Sequence, residues 1–237
     1  MMKKNGFTLA EVLITLAIIG VVAVLTLPAL MTNTQEQRAK TARKKGINTL
    51  TEAGQMNASI AGFDYSSITS NDTKDQDEQS LFGILANRTS MDFANSNTMK
   101  NTKQKSFQGS STSQGADNYV AFFRDGSSLI FNPAMTGAND TANTKNKVGT
   151  PQDDGLPYGI PAIYDTNGVQ GPNILSYCMG SDTTINNPLG NTTDSTVDDV
   201  QTACPKKGRL IKDQFGIRLR GYYAVPNGAA ARWAFSN

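Results

Sequence analysis

The chain has 237 residues, with 22 basic, 20 acidic and no histidine. A net charge of +2 gives no electrostatic reason to expect nucleic acid as a partner, because such surfaces carry a strong basic surplus. Without histidine, Ser–His and Cys–His nucleophile pairs and most catalytic zinc sites are excluded, and two cysteines can make one disulfide but no structural zinc site.

Apolar residues concentrate at the N-terminus. Met1 to Gly6 is a short head whose Lys3 and Lys4 account for the whole excess of basic over acidic residues. From Phe7 to Leu30 every residue is apolar except Thr8, Glu11, Thr15, Gly20, Thr26 and Pro28, and Glu11 is the only charge. As a helix this segment would span about 36 Å, against a hydrocarbon core of about 30 Å. A cleaved secretory signal fits poorly, because the apolar run is too long and no clear small-residue cleavage site follows it. A plain membrane anchor leaves Glu11 unexplained, since an acid near the start of a spanning helix costs on the order of 2.5–3.5 kcal/mol. A helix that must find a positive partner inside the membrane gives that cost a use. Phe7 lies one turn before Glu11 on the same helical face. A cut after Gly6 would give Phe7 a new α-amino group near the depth of Glu11. The amine of one subunit could then pair with Glu11 of its neighbour, and neither charge would be matched until assembly.

The run Lys3-Lys4-Asn5-Gly6-Phe7-Thr8-Leu9, with Glu11 and the apolar stretch to Leu30, resembles the N-terminal signal of type IV pilins and type II secretion pseudopilins. The resemblance covers roughly residues 3–60. It implies cleavage after Gly6 and N-methylation of Phe7 by a prepilin peptidase, assembly through Glu11 and Phe7, and helix weakening at Gly20 and Pro28. Proline removes a backbone donor and clashes with the preceding turn, so a kink or local melting is expected at Pro28. The implied fold is α+β: a long N-terminal helix, half transmembrane and half amphipathic, packed on an antiparallel sheet. The implied partners are the peptidase, other pilin or pseudopilin subunits, an assembly-platform membrane protein and membrane lipid. The implied location is the cytoplasmic (inner) membrane as a single-pass precursor with its head in the periplasm or outside, then a filament at the cell surface. Charge counting points the other way, since Arg38, Lys40, Arg43, Lys44 and Lys45 beyond the span outnumber Lys3 and Lys4 before it. The resemblance takes precedence, because cleavage requires a cytoplasmic leader and cysteines suit an oxidising compartment.

The expected organisation is a leader (1–6), a transmembrane or filament-core helix (7–30), an amphipathic continuation (31–60) and a globular head (61–237). Ala39, Ala42, Ile47, Leu50, Ala53, Met56 and Ile60 recur at helical steps, predicting one apolar stripe on a helix continuous from Phe7 to about Ser59. The basic residues Arg38 to Lys45 read as a solvated face, with lipid headgroups or acidic filament neighbours as the alternative. Gly46 and Gly54 are expected to weaken this helix.

Ser80 to Ala86 is an apolar island that predicts a short helix, and Asn95 to Gln114 reads as a long polar loop. Tyr119–Arg124, Asp125-Gly126 and Ser128–Phe131 form a hairpin signature, and Ile160–Tyr164 a further strand. Phe215–Val225, Asn227-Gly228 and Ala230–Phe235 suggest a second hairpin, with Trp233 packed on the sheet. Cys178 and Cys204 lie in loop-rich sequence, and a bridge between them would contribute about 3–4 kcal/mol on the chain-entropy model. Pilins often fasten a C-terminal loop in this way.

Asp165 to Asn173 (DTNGVQGPN) is the densest turn sequence. With Lys212-Asp213-Gln214-Phe215 it resembles, more loosely, the C-terminal region of some pilin-like proteins. Asp165, Asn167 and Asn173 are weak calcium candidates, because the spacing departs from the EF-hand loop and no bidentate glutamate follows. A structural turn is the expected role, and no other cofactor is expected. Asp153, Asp154, Asp182, Asp194, Asp198 and Asp199 are scattered loop acids. No nucleophile elbow, phosphate loop or dinucleotide motif occurs. The reading is a structural filament subunit, not an enzyme, with a minor tip subunit or adhesin acting as a binding module as the alternative.

Overall fold

The computed structural model describes residues 8–68, 78–98, 101–102, 118–133, 159–178 and 209–236. Gly6, Phe7, Cys204 and the loop acids from Asp153 to Asp199 lie outside them. The chain divides into two compact units, Met1–Arg38 and Ala39–Asn237. In chain order the helices are α1 (Leu9–Ala61), α2 (Leu81–Arg88) and α3 (Ala229–Ser236). The strands are β1 (Met91–Thr98), β2 (Tyr119–Phe123), β3 (Ser128–Phe131), β4 (Ile160–Asp165), β5 (Tyr177–Cys178), β6 (Arg209–Leu210), β7 (Gln214–Arg220) and β8 (Tyr223–Pro226). The architecture is the expected α+β arrangement, an N-terminal apolar helix and an antiparallel sheet.

In the first unit, α1 is helical through Gly20 and Pro28 without interruption, so local melting at Pro28 does not occur. Helical turns on either side carry the chain across the missing N–H. The threonines of this segment fold their hydroxyls back onto the helix. Thr15 Oγ1 donates to the Val12 carbonyl at 2.9 Å, Thr26 Oγ1 to Val22 at 2.9 Å and Thr34 Oγ1 to Leu30 at 2.8 Å. Each hydroxyl is thereby satisfied without water.

The second unit is built on a six-stranded sheet in the order β1-β2-β3-β4-β7-β8, with every neighbouring pair antiparallel. One face carries Ala121, Leu129, Phe131, Ala162, Ile217 and Leu219, which share a core with Ile47 and Leu50 of α1 and the apolar side of α2. The other face buries Val120, Ile130 and Ile163 under Leu175. Strands covered on both sides carry no alternation, and all of β4 and β7 is buried.

The stripe of α1 differs from the sequence reading at its C-terminal end. Met56 and Ile60 are exposed, at 49% and 65%. Gly46 and Gly54 are instead close-approach positions. A Cβ on Gly46 would overlap the Tyr164 ring, and one on Gly54 would lie 2.7 Å from the Tyr222 carbonyl oxygen and from the Tyr65 ring. The basic residues are not all a solvated face either. Lys40 is buried with its Nζ 3.9 Å above the Trp233 ring centroid. Arg43 is fully buried, donates from Nη1 to the Ala231 carbonyl, and lies over the rings of Phe215 and Phe235 at 4.8 and 5.7 Å. Its Nε and Nη2 have no hydrogen-bond partner among the described residues, and burial pulls its pKa down to about 9. Aromatic faces take the place of a carboxylate around this cation.

Three further elements differ from expectation. The second hairpin turns at Gly221 (φ 53) between β7 and β8, inside the stretch read as one strand. Ala230–Phe235 is helix, part of α3, since a run of alanines has the highest helix propensity once Gly228 (φ 95) has turned the chain. β1 occupies the first residues of the stretch read as a polar loop. The Tyr119–Phe131 hairpin, the strand from Ile160 and the short helix after Ser80 are as expected, the last with Ser80 Oγ accepting the Gly83 N–H at 2.9 Å.

Gly46→Val tests the helix-on-sheet contact. The added side chain must displace Tyr164, and we expect a loss of about 1–3 kcal/mol, read as a lower melting temperature of the full chain in detergent. An unchanged melting temperature would refute the contact.

Candidate functional site

The helix start is organised by Thr8. Its backbone N–H and its hydroxyl both donate to Glu11 Oε2 at 2.8 Å, and the Glu11 N–H returns to Thr8 Oγ1 at 3.3 Å. This is a reciprocal capping box, legible in advance as Thr-x-x-Glu, and it is the contribution of Thr8 that the sequence reading missed. Glu11 Oε1 has no partner among the described residues. The carboxylate is thus anchored by one oxygen at the positive end of the helix and offers the other outward.

Leu9–Pro28 is long and apolar enough to cross a membrane, with mean hydropathy 2.5, and none of that span is buried within the chain. Its side chains are exposed all round, Leu13, Ile18, Val24 and Leu25 among them at 58–73%. Apolar exposure on every side of a helix marks a surface meant for lipid or for other helices.

Residues 1–27 match the family described as "Prokaryotic N-terminal methylation motif". The chain carries a prepilin-type signal. This is the N-terminal signal of type IV pilins and pseudopilins, and it places Gly6, Phe7 and Glu11 inside the matched segment. No curated protein and no solved structure matches the chain.

The second constellation is the Asp165–Asn173 turn. The structure brings Asp165, Asn167 and Asn173 together; the polar atoms of Asp165 and Asn173 and the Asn167 Nδ2 meet partners in the turn and on β7, while Asn167 Oδ1 is buried without a hydrogen-bond partner among the described residues. Asp165 is buried; its Oδ1 accepts the Asn167 N–H at 3.1 Å and its Oδ2 the Gln214 amide at 2.8 Å. Asn173 adopts φ 51, and its side-chain nitrogen donates to the Gly168 and Gln170 carbonyls at 3.1 and 2.8 Å. Gly168 (φ 60) passes so close to Gly126 that a Cβ would lie 2.6 Å from the Gly126 carbonyl oxygen. Calcium coordination by Asp165 would have to displace these donors. No group of three or more Cys, Asp or Glu suited to a metal occurs among the described residues.

Asp213 closes the arrangement. Its carboxylate accepts the backbone N–H groups of Asn173 at 2.6 Å and Ile174 at 2.9 Å. The chain leaving the turn is thereby held against β7, through Ser176 N–H to the Gln214 carbonyl at 2.7 Å, and Leu175 is set over the second sheet face. Cys178, fully buried beside Ala229, Ala230 and Ile211, follows directly.

Asp213→Ala would leave two backbone donors without their acceptor. A buried donor left unsatisfied costs about 1–3 kcal/mol, so the variant should melt well below the parent. A melting temperature equal to the parent's would show that the clamp contributes nothing.

Proposed function

We propose that this chain is a structural subunit of a type IV pilus-like filament or type II secretion pseudopilus. A prepilin peptidase cuts it after Gly6 and methylates Phe7. Before assembly it is a single-pass precursor in the cytoplasmic membrane, with its head on the far side. The helices from Phe7 to about Leu30 then leave lipid and pack together as the filament core. Glu11 pairs through its unpartnered oxygen with the Phe7 amine of a neighbour. The protein is the substrate of an enzyme rather than an enzyme, and the reading requires no cofactor. The observation that carries it is the apolar Leu9–Pro28 helix, uncovered by its own chain, with one capped carboxylate beside the cleavage junction.

The head's place outside the cytoplasm is supported by the fate of the basic residues. Lys40 and Arg43 are spent on aromatic rings within the fold, which weakens their weight as charges that hold a segment inside the cell. In an oxidising compartment Cys178 would bridge to Cys204 and fasten the C-terminal segment. A groove on the head favours a second role, that of a binding module at a filament tip.

Two substitutions test the reading together. Gly6→Leu should leave the precursor at its uncleaved size while the parent is shortened. Glu11→Ala should insert into the membrane normally yet fail to enter filaments. Normal incorporation of Glu11→Ala would remove the role given to Glu11, and cleavage of Gly6→Leu would remove the proposed junction.

A further inference from the structure

A groove of about 520 Å³ opens on the head between β1, the β2–β3 turn and the Asp165–Asn173 turn. It lies far along the chain from the prepilin-type signal.

Its walls have a consistent chemistry. Asn95, Asn97, Asn101 and Gln170 present amides, Asp92 presents a carboxylate and Phe122 a half-buried ring. Among the described residues, none of the groove's lining side chains is a lysine or arginine. The register of β1 against β2 shifts between Asp92 and Asn97, and such a bulge re-aims side chains that regular pairing would alternate across the sheet.

The amides are held in fixed orientations with one end left over. Asn95 Nδ2 donates to Asp92 Oδ2 at 2.6 Å, which leaves Asn95 Oδ1 as an acceptor without a partner among the described residues. Asn97 Oδ1 accepts the Thr98 N–H at 2.7 Å and the Asn101 amide at 3.5 Å, which leaves Asn97 Nδ2 as a donor. Asn101 Nδ2 also donates to Thr98 Oγ1 at 3.0 Å, which leaves its Oδ1 as an acceptor. Two acceptors and a donor are therefore left over among the lining amides, whose other ends are already bonded before any ligand arrives.

We propose that this groove binds a neutral saccharide. A sugar hydroxyl both donates and accepts, so a row of hydroxyls matches leftover amide ends of both kinds. The C–H face of a pyranose suits an aromatic ring such as Phe122, in a site whose few placed polar groups set orientation. The Asp92 carboxylate on the wall disfavours phosphorylated, sulfated or carboxylated ligands. Pre-orientation of the amides lowers the ordering cost of binding.

The test uses the full chain in lauryldimethylamine oxide, a detergent without a sugar headgroup. Cellotetraose, maltotetraose, chitotetraose and the acidic tetragalacturonate are titrated, with binding followed by calorimetry and by the side-chain amide signals of Asn and Gln in NMR spectra. We expect at least one neutral oligosaccharide to bind and to shift those amide signals, with tetragalacturonate inert. Ala94→Trp fills the groove from an exposed position, and Gln170→Ala and Asn95→Ala remove polar ends. Ala94→Trp should abolish binding, and each of the other two should weaken it by about fivefold or more, with melting temperatures near the parent's. Failure of all three neutral sugars to bind, or binding undiminished by Ala94→Trp, would overturn the proposal. Either result would leave the prepilin reading intact, because no residue of the signal is touched.

Discussion

Everything in this protein follows from an apolar helix that its own chain does not cover. The 20 residues from Leu9 to Pro28 expose leucine, isoleucine and valine on every side. Covering each such side chain is worth about 1.5–3 kcal/mol, so the segment as a whole carries more free energy than the net stability of a typical domain. Lipid can supply that cover, and so can other helices of the same kind. The exchange of one cover for the other is nearly neutral for the apolar side chains, which leaves polar groups to decide when it happens. Glu11 is the charged one. Its capping box with Thr8 satisfies one oxygen and leaves the other without a partner among the described residues. Thr15 and Thr26 bond within the helix and so add no competing demand.

The head obeys a different economy. The central strands of its sheet are buried on both faces, by α1 and α2 on one, and Leu175 lies on the other. Two devices let a polar, loop-rich sequence reach that state. Gly46 and Gly54 allow α1 close against Tyr164 and Tyr65, and the Asp213 carboxylate clamps the segment that carries Leu175. The aromatic-lined cation Arg43 then joins α1 to α3, so the C-terminal helix is tied to the element that leads out of the head.

The signal segment and the central strands were legible because composition alone decides them. Eighteen apolar residues among the 24 from Phe7 to Leu30, or an Asp-Gly between two apolar runs, admit few alternatives. What escaped was set by tertiary context. β1 is an edge strand whose second half, Asn95-Ser96-Asn97-Thr98, is polar throughout, so its pattern there is that of a loop. α3 follows Asn227-Gly228, a pair that signals a hairpin, but its alanines can pack flat on Phe215 and the chain turns helical. Arg43 and Lys40 read as solvated by type, and only the aromatic rings brought by β7 and α3 give them a buried place. In the Asp165–Asn173 turn the sequence showed a concentration of oxygens without showing that the Asp165 carboxylate is already used by the Asn167 N–H and the Gln214 amide.

The central claim is that neighbouring helices replace lipid around Leu9–Pro28. A photo-crosslinking residue at Leu16, in cells where the filament system is active, tests this most directly. The account predicts a ladder of crosslinked subunits after assembly and lipid adducts alone when assembly is blocked. Lipid adducts alone in a strain that demonstrably builds filaments containing this subunit would contradict it.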